Sequence, residues 1–105
     1  MYEYQLTIGL FDKDAEQQVI PTQTAKASIS DILIDRYGIF AYTMIDCSGV
    51  YRMQSTGHIV FEPSIRIEIV TDDEINLAPI ISDLKAALNQ ESIMIKKSIS
   101  DIAFI

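Results

Sequence analysis

Two long β-strands joined by a tight turn are predicted by residues 39–70, IFAYTMIDCSGVYRMQSTGHIVFEPSIRIEIV. In the second arm the odd positions hold Ile59, Phe61, Ile65, Ile67 and Ile69, and the even positions between them hold Glu62, Ser64, Arg66 and Glu68. Because successive side chains of a strand point to opposite faces, this alternation places the apolar side chains on one face. The first arm, IFAYTMIDC, is apolar on both faces, and the turn is predicted at residues 54–57. We expect the rest of the chain to cover one face of this hairpin.

The length and composition of the chain predict one compact domain over residues 1–105, since 49% of the residues are hydrophobic and 22% are charged. No apolar run approaches the roughly 18 residues of a membrane span, and no basic segment precedes an apolar stretch at the N-terminus. These features and the single cysteine, Cys47, predict a cytoplasmic protein. The net charge of −7 disfavours direct binding of nucleic acid and suits a basic protein partner.

The segment before the hairpin is predicted to form a strand and a helix. Apolar residues at the even positions of residues 2–10 alternate with mostly polar ones, which indicates a half-buried strand. The helix is expected to begin with Thr22 as its N-cap and to end at Gly38. Its apolar stripe is formed by Ala25, Ile29, Ile32 and Leu33.

The segment after the hairpin is predicted to form a second helix and a last strand. Pro79 must lie in the first turn of this helix, so the helix begins no earlier than about Asn76, and Asn89 and Gln90 end it. The last strand includes Ile93 and Ile95. The sequence leaves open whether the tail, residues 99–105, continues this strand or folds over a sheet edge.

The element order β-α-β-β-α-β predicts a ferredoxin-like α+β fold, in which two helices cover one face of a four-stranded antiparallel sheet. We expect the terminal strands in the middle and the first arm of the hairpin at an edge. Gly49 is interpreted as a β-bulge in that arm.

Residues with catalytic or metal-binding chemistry are few in this sequence. His58 is the only histidine and lies beside the predicted turn, with no second ligand at a metal-binding spacing. Cys47 lies in a strand and lacks the basic neighbour of a reactive thiol. The carboxylates of Asp72, Asp73 and Glu74 lack the spacing of a calcium loop and fit the start of a helix. The sequence therefore predicts no catalytic residue, no cofactor and no metal site.

Two binding functions of the ferredoxin-like fold receive little support. RNA recognition modules need exposed aromatic residues on the two central strands within a basic surface, and these strands instead offer residues such as Glu3, Gln5, Glu62 and Glu68. Small amino-acid-sensing domains have a glycine-containing ligand loop after the first strand, which residues 11–14, FDKD, do not match.

Residues 4–14, YQLTIGLFDKD, residues 87–95, ALNQESIMI, and the hairpin sequence GVYRM resemble a family of small acidic proteins of Gram-positive bacteria. Members of that family are carried on plasmids, conjugative elements and phages. Genes in such neighbourhoods often encode inhibitors of host defence, including anti-CRISPR proteins against type II effector nucleases. The resemblance implies a mobile-element origin and names no active residue.

These observations predict a non-enzymatic inhibitor that binds a basic surface of a nucleic-acid-handling protein, such as a type II CRISPR effector nuclease. The candidate contacts are the acidic residues Asp12, Asp14, Glu16, Asp72, Asp73 and Glu74. The alternatives are a homo-oligomeric regulatory domain that senses a small molecule and a small dimeric enzyme with an acid or base in a pocket at the open sheet face.

A homodimer is also predicted, because the first arm of the hairpin is an edge strand with two apolar faces and no lysine or proline to protect it. Its candidate interface residues are Phe40, Tyr42, Met44 and Ile45. We expect one pair of these side chains to face the core and the other pair to face the partner.

Overall fold

The ferredoxin-like fold is confirmed by a computed structural model, which describes residues 1–52 and 56–105. Its elements in chain order are β1 (Tyr2–Gly9), α1 (Thr22–Ser30), β2 (Tyr42–Arg52), β3 (Ile59–Thr71), α2 (Ala78–Leu88) and β4 (Met94–Ile99). The antiparallel sheet has the order β2-β3-β1-β4. The terminal strand β1 is central as expected, but β4 lies at an edge, because its only strand neighbour within the described sheet is β1.

The core lies between one face of the sheet and the two helices. It includes Tyr4, Leu6 and Ile8 of β1 and Ile65, Ile67 and Ile69 of β3, all nearly inaccessible to solvent. The helices contribute Ala25, Ile29, Ile32, Leu33, Ile80, Leu84 and Leu88. The two alternating strands and the apolar stripe of the first helix were therefore correctly predicted from their periodicity.

The first helix differs from the prediction at its start and in its second half. Thr22 is the first helical residue and Pro21 is the N-cap, which has no side-chain cap hydrogen bond, so the predicted Thr22 cap is wrong. After Ser30 the helix continues as a π-helical segment, Asp31–Arg36. Gly38 then adopts a positive φ of 63° and donates its N–H to the Ile34 carbonyl, as expected of a glycine at a helix end.

The second helix ends as predicted. Pro79 lies in its first turn, where its missing N–H leaves no helical hydrogen bond unmade. Asn89 follows the last turn in the left-handed conformation, with φ 48° and ψ 55°. The strand β4 ends at Ile99, and residues 100–105 form no further strand or helix.

The β2–β3 hairpin is longer than the layer of helices that covers its base. Its register is continuous from Tyr42 opposite Ile69 to Arg52 opposite Ile59, so Gly49 forms no bulge and that interpretation is wrong. The predicted turn includes Gln54 and Ser55, which lie outside the described residues. Beyond Ser64, toward the tip of the hairpin, the side chains on the helix side of the sheet are exposed. Phe61 is one of them. None of the described helices is long and apolar enough to cross a membrane.

Candidate functional site

A cleft of about 740 Å³ lies at the end of the sheet where the β2–β3 hairpin extends past the helices. Three segments form its walls: the end of β1 with the loop that follows it, the distal hairpin, and the loop between α2 and β4. They contribute Gly9, Phe11, Asp12, Lys13 and Glu16; Tyr51, Arg52, Val60 and Glu62; and Gln90, Glu91 and Ser92. The volume falls in the range of about 300–1,000 Å³ that small-molecule sites occupy.

The Glu62 side chain lines this cleft, and the missing side chain of one strand glycine, Gly9, leaves room for its carboxylate. Gly9 of β1 pairs with Ser64, and Gly49 of β2 pairs with Glu62 itself. A Cβ atom at Gly9 would overlap the Glu62 carboxylate, so only glycine at this position permits the observed placement. The carboxylate Oε2 accepts a hydrogen bond of 2.9 Å from the backbone N–H of Phe11. This contact fixes a carboxylate against the first wall of the cleft.

Tyr51 lines the same cleft as this carboxylate. Burial of the hydroxyl raises the pKa of Tyr51, and the carboxylates of Glu62 and Glu16 raise it further, although 44% of the residue is exposed. The tyrosine therefore stays protonated at neutral pH and is available as a hydrogen-bond donor. The rings of Phe11 and Tyr51 also give the cleft two aromatic surfaces.

The loop after β1 is held in shape by its own acidic residue. The Asp12 carboxylate Oδ2 accepts the N–H groups of Asp14, at 3.0 Å, and Ala15, at 2.9 Å. The Asp12 N–H donates to the Gln17 carbonyl, and Phe11 forms a β-bridge with Gln18. This loop is therefore a small closed turn that stands beside Glu62.

Two side chains connect this turn to the end of α2. The Asn89 Nδ2 donates to Asp12 Oδ1 at 2.8 Å and to Asp14 Oδ2 at 2.9 Å, and the Asn89 carbonyl accepts the Lys13 N–H. The Gln90 Nε2 donates to the Phe11 carbonyl at 2.8 Å. The Asn89 bond, assisted by the Ala15 N–H, lowers the pKa of Asp12. Two of the three walls of the cleft are thus joined by direct hydrogen bonds.

The charge of the cleft is acidic overall. Its lining includes the carboxylates Asp12, Glu16, Glu62 and Glu91 and the cations Lys13 and Arg52. A site with this excess of carboxylates attracts cationic ligand groups and repels phosphate groups. Among the described residues no three His, Cys, Asp or Glu side chains are grouped as metal ligands would be.

The predicted acidic contacts divide between the two ends of the sheet. Asp12, Asp14 and Glu16 lie in the turn after the C-terminal end of β1, and Asp12 and Glu16 line the cleft. The group at residues 72–74 follows β3, whose Thr71 pairs with Tyr2 at the start of β1, so it lies at the opposite end. Asp12 and Asp14 bond to Asn89, and Glu74 forms an ion pair with Lys97.

The candidate interface residues are placed in two environments. Tyr42 and Met44 pack against the core, and the Tyr42 hydroxyl donates to Ser30 Oγ at 2.9 Å. Phe40 precedes the strand and is 77% exposed, and Ile45 on the open face of the sheet is 38% exposed. Tyr42 and Met44 therefore face the core and Phe40 and Ile45 are exposed, and the dimer with its interface stays a prediction.

The residues at the centre of the cleft were not selected from the sequence, where Glu62 was interpreted as a polar position on a solvated strand face. Gly9 was the available signal, because glycine within a strand often marks the close approach of another group. The structure was needed to show that Gly9, which pairs with Ser64, is the glycine that the Glu62 carboxylate approaches.

Comparison with known proteins finds neither a matching family model nor a matching curated protein. Solved structures do match in fold. A phage SAM lyase in complex with S-methyl-5'-thioadenosine is 20% identical with a TM-score of 0.63, covering 92% of this chain and 79% of the lyase chain. A phage SAM lyase in the apo state gives 21% identity, a TM-score of 0.59 and coverages of 92% and 78%. The ATP complex of B. subtilis GlnK is 13% identical, with a TM-score of 0.57 and coverages of 92% and 80%.

Proposed function

We propose that the protein binds an adenosine-containing sulfonium or thioether, of the class of S-adenosylmethionine and S-methyl-5'-thioadenosine, in the Glu62 cleft. The observation that supports this most is the cleft itself, whose lining combines the hydrogen-bonded carboxylate of Glu62, the rings of Phe11 and Tyr51, and the protonated Tyr51 hydroxyl. Aromatic rings suit the apolar faces of adenine, and the carboxylate suits a positively charged sulfur or amine. This proposal assigns a chemical class of ligand to the alternative function, a domain that senses a small molecule.

The charge of the cleft discriminates between adenosine ligands. The phage SAM lyase is in complex with a thioether nucleoside and B. subtilis GlnK with ATP, so both neighbours hold an adenosine. Four carboxylates against two cations in the lining disfavour the triphosphate of ATP. We therefore expect S-adenosylmethionine to bind more tightly than S-methyl-5'-thioadenosine, which has no positive charge, and ATP to bind most weakly.

Isothermal titration calorimetry with these three ligands tests the proposal. The variant Glu62→Gln keeps a side-chain oxygen that can accept the Phe11 N–H but removes the charge, so it should weaken S-adenosylmethionine binding by about tenfold or more, as expected for a charge-assisted contact. Binding of the neutral thioether should change less. The matched control is Glu68→Gln, which removes a carboxylate from the same strand outside the cleft. ATP binding more tightly than S-adenosylmethionine would contradict the proposal.

Whether the protein converts its ligand is a separate question. The same ligands test the prediction that the protein is not an enzyme. An enzyme of this fold needs an acid or base in a pocket at the open sheet face, and the Glu62 cleft supplies a carboxylate there. Incubation with S-adenosylmethionine followed by chromatography measures whether S-methyl-5'-thioadenosine forms. Release above the rate in buffer, abolished in Glu62→Gln, would contradict the non-enzymatic prediction.

The predicted inhibitor function remains a second proposal, and the exposure of the acidic group at residues 72–74 favours it. Within the described chain Asp72 and Asp73 form no ion pair, so both carboxylates are available to a basic protein such as a type II CRISPR effector nuclease. Binding should weaken between about 0.1 M and 1 M salt as the screening length falls from about 10 Å to 3 Å. Unchanged affinity in a variant with Asp72, Asp73 and Glu74 replaced by Ser would contradict this assignment.

A further inference from the structure

The cleft depends on a contact between two loops that belong to different halves of the chain. The turn after β1 contributes Phe11, Asp12, Lys13 and Glu16 to the lining, and the loop after α2 contributes Gln90, Glu91 and Ser92. Neither loop is a strand of the sheet, so the sheet register alone does not fix their separation. Direct hydrogen bonds join the turn after β1 to Asn89 and Gln90 at the end of α2, and they hold these two walls of the cleft together.

Asn89 makes most of these bonds from a backbone conformation that suits asparagine. Its φ of 48° is in the left-handed region, where asparagine is tolerated far better than branched or bulky residues. Both hydrogens of its side-chain amide are used, one on Asp12 and one on Asp14, while its carbonyl accepts the Lys13 N–H at 3.1 Å. A helix end needs only the backbone conformation, so the side chain is free to hold the turn.

The Asp12 carboxylate that accepts the hydrogen bond from Asn89 also accepts hydrogen bonds within the turn. Asp12 Oδ1 accepts from Asn89, while its Oδ2 accepts the N–H groups of Asp14 and Ala15. The same carboxylate thus shapes the turn with one oxygen and anchors it to α2 with the other. Glu16, the residue after Ala15, has a φ of 55° and lines the cleft.

We propose that Asn89 is a positioning residue, which holds the turn after β1 against the end of α2 and thereby sets the affinity of the Glu62 cleft for its ligand. This role rests on the proposed function for its ligand and on the hydrogen bonds for its geometry. Asn89 does not line the cleft and is not expected to touch the ligand.

The test separates the side chain of Asn89 from its backbone conformation. Asn89→Gly keeps easy access to the left-handed region and removes only the side-chain bonds, whereas Asn89→Asp places a third carboxylate beside Asp12 and Asp14. S-methyl-5'-thioadenosine is the probe, because its neutral charge makes it insensitive to the change in net charge. We expect Asn89→Gly to weaken its binding about tenfold, which corresponds to about 1.4 kcal/mol, and Asn89→Asp to weaken it more.

Rescue distinguishes this contact from a general loss of structure. In the double variant Asp12→Asn with Asn89→Asp, the donor and acceptor exchange places, and the amide oxygen introduced at position 12 still accepts the two turn N–H groups. The affinity of this double variant should recover part of the loss seen in Asn89→Asp. A double variant no better than Asn89→Asp, or an Asn89→Gly variant with wild-type affinity, overturns the positioning role.

Hydrogen exchange at the Lys13 amide measures the contact between the turn and Asn89 in the absence of ligand. Its N–H donates to the Asn89 carbonyl, so loosening of the turn in Asn89→Gly should raise its exchange rate relative to the β1 amides. Equal Lys13 exchange in wild type and Asn89→Gly overturns the proposal whatever the ligand does. Failure of the wild type to bind the probe together with faster Lys13 exchange overturns the proposed ligand and the affinity role, and leaves the loop contact standing.

Discussion

Both halves of β3 have large apolar side chains at odd positions, but these side chains have opposite environments. Ile65, Ile67 and Ile69 at the base of the hairpin are fully buried under the helices, whereas Ile59 and Phe61 in the distal half are 57% and 70% exposed. The alternation assigns side chains to a face of the sheet, and burial additionally requires a second layer over that face. The distal half lacks this layer in the described chain, and the opposite face of the same half forms part of the cleft.

The largest expected effect is the difference between the two halves of β3 in how much their side chains contribute to the free energy of unfolding. Ile67→Ala removes a fully buried side chain and should lower the free energy of unfolding by about 2–5 kcal/mol. Phe61→Ala removes a larger but exposed side chain and should change it by no more than about 0.5 kcal/mol. Urea unfolding followed by circular dichroism measures both. A loss in Phe61→Ala similar to that in Ile67→Ala would mean that the distal half is covered in solution.

Much of the fold follows from the sequence because its signals are local. The β1 and β3 alternations, Pro79 at the start of α2 and Gly38 at the end of the first helix each report a property of a few consecutive residues. The N-cap at Pro21 was missed because a threonine beside a proline offers two possible first residues, and the side chain makes no cap bond.

The candidate site was less predictable because its residues are distant in the chain. Phe11, Tyr51, Glu62 and Gln90 meet only after β1, β2 and β3 are in register and α2 has ended. Each of these residues alone is an ordinary strand or loop residue. The predicted acidic contacts Asp12 and Glu16 do line the cleft, but their partner Asn89 was considered only as a helix end.

A second prediction asks which exposed apolar surface mediates self-association. The predicted dimer has a mass of about twice 11.8 kDa by light scattering at micromolar concentration. Phe40→Ser with Ile45→Ser should shift the mass to that of the monomer, since these are the exposed members of the predicted interface. Phe61→Ser, equally apolar and exposed but in the distal hairpin, is the matched control and should leave the dimer intact. A wild-type mass of 11.8 kDa at all concentrations would rule out the dimer.

The smallest effect concerns the hydrogen bond between Asn89 and Asp12, which joins the turn after β1 to the end of α2. The hydrogen bond from Asn89 and the Ala15 N–H lower the pKa of Asp12 from its usual value of 3.8. A carboxylate with a depressed folded-state pKa stabilises the fold above its unfolded pKa, and this contribution is lost as the pH falls through the lower folded value.

The Asp12 carboxyl resonance, followed by NMR, should therefore titrate below pH 3.8 in the wild type. In Asn89→Gly its midpoint should move upward, because the largest cause of the depression is gone, while the remaining N–H bonds of the turn keep part of it. An unchanged midpoint in this variant would show that the turn alone holds the carboxylate, and that the two walls of the cleft are joined by Gln90 and the backbone rather than by the Asn89 side chain.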